Sequence, residues 1–210
     1  MEQISKQIAE KLLQIKAIKL EPTNHFTWAS GWYSPIYCDN RKTLSYPEVR
    51  TFIKESFVRL INDKFGDFDI IAGVATGAIA QGALVAEAMQ KPFVYVRSQA
   101  KDHGMGNQIE GKLDPNQKVL VIEDLISTGG SSLSAVKAIR EANCEVIGMA
   151  AIFTYNFKKA NDAFEEAKVK LFTLSNYEAL IEKAIETGYV SENDLELLKE
   201  WRIDPGNWKK

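Results

Sequence analysis

The chain has 210 residues, 45% of them hydrophobic and 26% charged, which suits one domain with a buried core. Its formal net charge of −2 gives no general reason to expect a nucleic acid or an anionic membrane as a partner. Cys38 and Cys144 cannot form a disulfide framework, and no stretch approaches the roughly 18 apolar residues of a membrane helix. The N-terminus lacks an apolar signal core, so these features together favour a cytoplasmic protein.

The first part of the chain is predicted to hold two helices separated by a turn-rich segment. The opening helix is amphipathic, and Pro22 is expected to end it or to lie just past its end. Its apolar positions recur at helical spacing: Ile4, Ile8, Leu12 and Ile15. Residues 26–40 are rich in aromatic residues, Ser, Gly and Pro, which favours short extended pieces joined by turns. Pro47 suits the first position of the second helix.

Short apolar runs then alternate with helical segments. The runs are 69–74, 93–96, 119–122, 146–153 and 169–174, and helices are predicted over 76–90 and 130–142. This alternation is typical of βαβ units, so the sequence predicts an α/β fold with a mostly parallel central sheet flanked by helices. The tail after the last run is predicted to be helical again, with a final helix through Trp201.

The strongest chemical signal is the stretch 119–132, VLVIEDLISTGGSS. Four apolar residues predict a buried strand, and Glu123 and Asp124 stand at its carboxyl end, where open α/β sheets bind ligands. The glycines and hydroxyls that follow, before a helix, suit a phosphate group. A ligand with both a diol and a phosphate would satisfy the whole motif. An ordinary strand-to-helix turn is the alternative, but it leaves two carboxylates without a neutralising partner.

Two other phosphate-binding patterns are missing from the chain. It has neither the Gly-Lys-Ser/Thr of a nucleoside-triphosphate loop nor the G-x-G-x-x-G of a dinucleotide site. The stretch 119–132 instead resembles the phosphoribosyl pyrophosphate (PRPP) motif of type I phosphoribosyltransferases. This resemblance implies that Glu123 and Asp124 meet the ribose 2- and 3-hydroxyls. It also implies a loop that wraps the 5-phosphate: Ser127, Thr128, Gly129, Gly130, Ser131 and Ser132.

A second resemblance narrows the class to the orotate phosphoribosyltransferases. Residues 97–112 are too polar for the core and too long for a tight turn. Their sequence is similar to that family's mobile catalytic loop, R-x-x-A-K-x-H-G-x-G, which here supplies Arg97, Lys101 and His103. The stretches 26–31 and 34–41 resemble its N-terminal substrate hood, and 73–78 its pyrophosphate loop. A solvated loop with scattered charge is the plainer interpretation of residues 97–112.

The resemblance carries further expectations. It implies the type I phosphoribosyltransferase fold as a single domain over 1–210, with a hood at about 1–45 and a mobile catalytic loop at about 97–109. The catalytic residues would be Arg97, Lys101, His103 and Asp124, of which the first three would also contact PRPP. Magnesium is the implied cofactor, and no Cys/His cluster predicts a metal held by the protein itself. The implied assembly is a homodimer in which each loop closes over the neighbouring subunit's site.

The pyrimidine contacts depart from the usual family pattern. An Arg that holds the orotate carboxylate would fall near Tyr155 and Asn156, and neither residue can replace it. Since orotate is an anion, some cation or backbone donor must meet it. Arg41 is the candidate, with a surface salt bridge as its alternative role. Ser127 and Phe26 complete the predicted orotate contacts.

Other departures lie at Ala29 and Ser98, where the family often has Lys, and at Gly77-Ala78, where it often has Tyr-Lys.

Two rival functions stay open. A purine phosphoribosyltransferase would keep the chemistry and change the base, although residues 97–106 and the hood argue against it. A regulator that senses a ribose phosphate and binds nucleic acid would need a basic surface or an added DNA-binding module.

Overall fold

A computed structural model describes residues 2–28, 31–98 and 108–209. The helices of these ranges are α1 (Glu2–Gln14), α2 (Pro47–Lys64), α3 (Ile79–Ala88), α4 (Gly130–Glu141), α5 (Lys158–Glu166), α6 (Tyr177–Glu186) and α7 (Leu195–Ile203), with short 3-10 helices at Asn40–Ser45 and Glu192–Asp194. The strands are β1 (Ile18–Leu20), β2 (Phe26–Thr27), β3 (Tyr33–Ser34), β4 (Ile36–Cys38), β5 (Ile70–Val74), β6 (Phe93–Val96), β7 (Ile109–Glu110), β8 (Lys118–Ile126), β9 (Glu145–Thr154) and β10 (Leu171–Asn176). Within the described residues, no helix combines the length and apolar character needed to span a membrane.

A central sheet with the strand order β10-β9-β8-β5-β6-β7 organises the fold. Its strands pair in parallel, except that β7 runs antiparallel to β6. Successive residues of one strand enter different hydrophobic clusters: Leu120 and Ile122 one, Val119 and Val121 the other. Both faces of the sheet are therefore buried, as expected for parallel strands covered by helices. This confirms the α/β architecture predicted from the sequence.

The order of the strands reverses between β5 and β8. From β5 the chain moves outward to β6, whereas from β8 it moves to β9 and β10 on the opposite side. The helices that follow β5 and β8 consequently diverge and leave a crevice at the carboxyl ends of these two strands. Open α/β sheets bind ligands at such a switch point.

Several predicted helices and strands begin or end at other residues than the sequence indicates. Helix α1 ends at Gln14, well before Pro22, because Lys16 adopts a left-handed conformation (φ 54°) and β1 then pairs with β4. Helix α3 begins at Ile79, after the turn that leaves β5. Strand β8 runs on through Ile126, because β9 continues to pair with it as far as Thr154. The predicted second helix does begin at Pro47.

The N-terminal strands form two small sheets of their own, β1 with β4 and β2 with β3. Aromatic side chains connect this region to the last helix: the rings of Trp28 and Trp201 are 5.6 Å apart in an edge-on contact. Indole N–H groups add two hydrogen bonds, from Trp28 to the Ile36 carbonyl at 3.0 Å and from Trp201 to the Tyr33 carbonyl at 3.2 Å. Residues 26–28 and 31–38 are thereby held beside the carboxyl ends of the sheet strands.

Candidate active site

A cleft of about 460 Å³ lies at the carboxyl ends of β5 and β8. It gathers most of the predicted site residues: Arg41, Glu123, Asp124, Ser127, Thr128, Gly129, Gly130, Ser131 and Ser132. Val74–Gly77 also line the cleft, so its walls come from three separate segments, which the strand order brings together at the switch point. The cleft therefore lies where the fold class places a ligand.

The loop between β8 and α4 has the features of an anion site. Gly129 adopts φ +83°, a left-handed conformation that a glycine reaches without strain, and it precedes the first residue of α4. The first turn of this 12-residue helix contains no acidic residue, so its positive dipole end stays uncompensated. Ser127, Thr128 and Ser131 add hydroxyl groups to the cleft lining. This arrangement suits a phosphate, and the 460 Å³ cleft is called the phosphate cleft below.

The two acidic residues of the motif occupy different environments. Glu123 is 4% exposed, and both of its carboxylate oxygens are engaged. Ser132 Oγ donates to Oε2 at 2.8 Å, and the Asp124 N–H donates to Oε1 at 2.9 Å. Burial, followed by the charge of Asp124, raises the pKa of Glu123 well above its ordinary value. Glu123 thus links strand β8 to the first turn of α4, while the half-buried Asp124 also lines the cleft.

The turn after β5 forms the opposite wall. Ala75, Thr76 and Gly77 line the cleft, and the Ala75 N–H donates to the Val96 carbonyl at 2.8 Å. Gly77 faces the Asp124 carboxylate so closely that a Cβ at position 77 would overlap it. The pyrophosphate loop predicted over 73–78 therefore lies directly against the acidic pair of the motif.

A second cavity of about 310 Å³ adjoins the cleft. Its walls are Thr27, Trp28, Tyr37, Cys38, Leu125, Ser127 and Tyr155. Three of them, Cys38, Leu125 and Ser127, also line the cleft, so the two spaces are contiguous. Aromatic walls with a few polar groups suit a flat ring that carries hydrogen-bonding edges.

The predicted orotate contacts are only partly brought to this aromatic pocket. Ser127 lines it, whereas Phe26 lies behind the wall, with its ring 5.7 Å from that of Tyr37. Arg41 lines the phosphate cleft and is 2.7 Å from Asp39 through its Nε. The hydrogen bond with Asp39 raises the pKa of Arg41, so the guanidinium stays protonated. Arg41 therefore makes the salt bridge considered as its alternative role and also contributes to the site.

The predicted catalytic loop is described only at its two ends. Lys101 and His103 lie outside the described residues. Arg97 N–H donates to the Gln108 carbonyl at 2.9 Å, and Gln108 Nε2 donates back to the Arg97 carbonyl at 2.7 Å. The Arg97 guanidinium is 3.6 Å from Glu110 and is not part of the cleft lining. These contacts fasten both ends of the segment to the sheet edge formed by β6 and β7.

The sequence did not identify five walls of the aromatic pocket as base contacts: Thr27, Tyr37, Cys38, Leu125 and Tyr155. Tyr155 did have a positional signal, because the resemblance puts the family's orotate-binding arginine near it, and it directly follows β9 at the edge where the carboxyl ends of parallel strands converge. Tyr37 and Cys38 carry no such signal, since their position depends on how the N-terminal strands dock. No group of three or more potential metal ligands occurs among the described residues.

Comparison with known proteins gives a consistent family assignment. Residues 45–191 match the family described as phosphoribosyl transferase domain. The chain is 64% identical to orotate phosphoribosyltransferase of Phocaeicola vulgatus and 62% identical to that of Bacteroides fragilis, each over 209 residues covering 100% of this chain and 99% of the relative.

A solved structure, Mycobacterium tuberculosis orotate phosphoribosyltransferase in complex with Fe(III) dicitrate, is 27% identical with a TM-score of 0.69, over 84% of this chain and 98% of that one. The same mycobacterial protein has also been solved in complex with PRPP, in a structure that is 24% identical to this chain with a TM-score of 0.66. The match over most of the chain and the full-length identity to the bacterial relatives together show that this chain belongs to the orotate phosphoribosyltransferase family.

Proposed function

We propose that this protein transfers the phosphoribosyl group of PRPP to orotate, giving orotidine 5′-phosphate and diphosphate. The observation that carries the proposal is the contiguity of the phosphate cleft and the aromatic pocket, which share Cys38, Leu125 and Ser127. A sugar phosphate held in the first space would present its anomeric carbon toward a base held in the second. Full-length identity to orotate phosphoribosyltransferases supports the same reaction.

The cleft would hold PRPP by its two polar ends. The loop Ser127–Ser132 and the N-terminus of α4 would bind the 5-phosphate, and Asp124 would accept hydrogen bonds from the ribose hydroxyls. Glu123 supports both functions, because its carboxylate connects Asp124 to Ser132. As the bond to diphosphate breaks, the ribose becomes cation-like at its anomeric carbon, and the adjacent carboxylate of Asp124 would stabilise that charge.

The leaving diphosphate would lie along the turn Ala75–Gly77, within reach of positive charge from the catalytic loop. Arg97, Lys101 and His103 are the proposed sources of that charge and of protons.

Magnesium fits the described residues in one respect: Asp124 and Asp39 offer carboxylates beside the cleft, and Mg²⁺ commonly binds one or two carboxylates together with substrate phosphates. When bound, it would neutralise developing charge on the diphosphate.

The base would enter the aromatic pocket, where Ser127 offers a hydroxyl and Trp28, Tyr37 and Tyr155 offer ring surfaces. Arg41 is the single cation among the described residues that line either space, so it remains the proposed partner of the orotate carboxylate. Substitution Arg41→Ala is accordingly expected to raise the KM for orotate more than the KM for PRPP.

The catalytic loop at about 97–109 would close over the site and exclude water, which otherwise competes with orotate for the cation-like ribose.

We propose that the chain acts as one domain with a hood at about 1–45, and as a homodimer in which each loop serves the partner's site. Mixing Lys101→Ala with Asp124→Asn chains tests this, because a heterodimer would contain one site with both residues intact and regain activity. The cytoplasm is the proposed compartment, because Cys38 and Cys144 are both free thiols.

The activity itself is tested by following the ultraviolet absorbance of orotate with PRPP and magnesium present. The expected result is loss of orotate that depends on all three components, with no turnover of adenine or hypoxanthine in the same assay. Turnover of a purine instead of orotate would identify a purine phosphoribosyltransferase. Failure to use PRPP with any base, at millimolar concentration, would overturn the proposal.

A further inference from the structure

We infer that Asn40 is a positioning residue for the ribose site, and that its side-chain amide holds the main chain of Asp124 in place. The inference rests on the proposed function, since it assigns a role in PRPP binding. It concerns a residue that lines neither the cleft nor the aromatic pocket. Asn40 begins the 3-10 helix after β4 and is 2% exposed.

The need for such a residue follows from how the strands end. Strand β5 pairs with β8 only as far as Ile122, which opposes Gly73, whereas β9 follows β8 to its end at Ile126. Beyond Ile122 the described residues place no strand along the β5 side of β8. Buried main-chain groups there require other partners, because an unpaired one is costly. Two side chains supply them at Asp124: Glu123 Oε1 accepts from its N–H at 2.9 Å, and Asn40 Nδ2 donates to its carbonyl at 2.6 Å.

The orientation of the Asn40 amide is determined by its neighbours. A carbonyl oxygen can only accept, so the NH₂ group of Asn40 must be the end that faces Asp124. The amide oxygen then faces Cys38 Sγ at 3.5 Å. A thiol can donate to that oxygen. Both ends of the amide are in use, and an ionised aspartate could not replace the donor.

The anchoring matters because the Asp124 side chain has little space in which to adjust. Its carboxylate lies against Gly77 on the opposite wall of the cleft. A shift of the β8 main chain would therefore move the carboxylate relative to the ribose hydroxyls. Loss of the Asn40 amide is expected to weaken PRPP binding more than orotate binding, since its contact with Asp124 is 2.6 Å, whereas its contact with the pocket wall is a longer one of 3.5 Å to Cys38 Sγ.

Substitution Asn40→Asp tests the inference with nearly unchanged volume. At about pH 8 the introduced carboxylate cannot donate, and the KM for PRPP is expected to rise at least about tenfold while the KM for orotate changes less than about twofold. As the pH falls and the introduced carboxyl group becomes protonated, it regains a donor for the Asp124 carbonyl. The ratio of variant to parent KM for PRPP should therefore shrink at low pH, which a purely structural defect would not produce.

Thr43→Val is the matched control. Thr43 Oγ1 donates to the Asn40 carbonyl at 2.6 Å and accepts from Gln81 Nε2 at 3.4 Å, so this variant loses two buried hydrogen bonds at the same 3-10 helix without touching Asp124. We expect a lower melting temperature and a PRPP KM within about twofold of the parent. An equal rise in PRPP KM in both variants would overturn the inference, because it would reduce Asn40 to general support of the helix.

Asn40→Ala serves as a second variant that adds no charge, and it carries the test should Asn40→Asp fail to fold. The same rise in PRPP KM is expected in it, without recovery at low pH. Parent-like PRPP binding in a folded Asn40→Ala chain would overturn the inference. Failure of the proposed function has a different signature, since the parent protein would then consume no orotate in the presence of PRPP and magnesium.

Discussion

Gly77 and Asp124 face each other across the phosphate cleft with no room for a side chain between them. A Cβ built at position 77 would overlap the carboxyl group of Asp124, although Gly77 belongs to the turn after β5 and Asp124 to strand β8. The loop proposed to bind diphosphate is thus in direct contact with the carboxylate proposed to bind the ribose. The absence of a side chain at Gly77 therefore sets the distance between these two walls of the cleft.

Substitution Gly77→Ala is expected to lower kcat/KM by about tenfold to a hundredfold, because the methyl group must displace either the turn or the carboxylate that meets the ribose. Steady-state kinetics with both substrates varied would measure the loss. Gly66→Ala is the matched control, since a Cβ there meets nothing within 4 Å. Parent-like kcat/KM in a folded Gly77→Ala variant would show that the close contact has no part in catalysis.

Glu123 should make folding stability depend on pH in a defined direction. Its pKa in the folded chain is raised well above the ordinary 4.5, so the folded state holds this proton more tightly than the unfolded state. The stabilisation is complete below about pH 4.5 and is lost as the pH rises through the folded pKa. In Glu123→Gln an amide can still accept from Asp124 N–H and donate to Ser132 Oγ, without any charge to bury.

The melting temperature of Glu123→Gln is therefore expected to fall less than that of the parent as the pH rises from about 5 to about 9. Thermal unfolding followed by circular dichroism over this range would measure both slopes. Glu166→Gln, at an exposed position of α5, should keep the parent's slope. Identical slopes in all three proteins would contradict burial of a titrating carboxyl group at position 123.

The sheet and the phosphate loop were predictable because their signals are local. Apolar runs such as 93–96 indicate buried strands by themselves. Residues 127–132 consist of Ser, Thr and Gly, which predicts a loop suited to a phosphate. The end of β8 was not predictable in this way. Glu123 and Asp124 look like the end of a strand, yet β9 pairs with residues beyond them, and Glu123 is buried with partners from its own neighbourhood.

The aromatic pocket depends on contacts between distant segments, which no local pattern encodes. Tyr37 and Tyr155 meet there only because Trp28 packs on both Tyr155 and Trp201. The role inferred for Asn40 likewise depends on a hydrogen bond to Asp124, 84 positions along the chain. In the sequence, Asn40 is merely one polar residue of a turn-rich segment. Residue composition thus predicts the position of the loop after β8 better than it predicts the walls of the aromatic pocket.

Tyr37 allows the base half to be tested alone, because it lines the aromatic pocket and not the phosphate cleft. Tyr37→Ala is expected to raise the KM for orotate roughly tenfold through lost ring contact, with the KM for PRPP within about twofold. Tyr189→Ala is a suitable control, as the two side chains are similarly exposed, at 37% and 38%. A rise in PRPP KM alone would place the base elsewhere.

Lys101→Ala tests the catalytic loop, whose central residues lie outside the described ranges. We expect turnover to fall at least about tenfold while PRPP still binds, because the lysine would act mainly on charge that develops as diphosphate leaves. Single-turnover rates and PRPP binding measured on the same preparation would separate the two effects. Lys112→Ala is the control: its side chain is 85% exposed and pairs with Asp114 at 3.0 Å, so turnover should be unchanged. Full turnover in Lys101→Ala would remove this lysine from the mechanism, and the charge on the leaving group would have to be met by Arg97, His103 and magnesium.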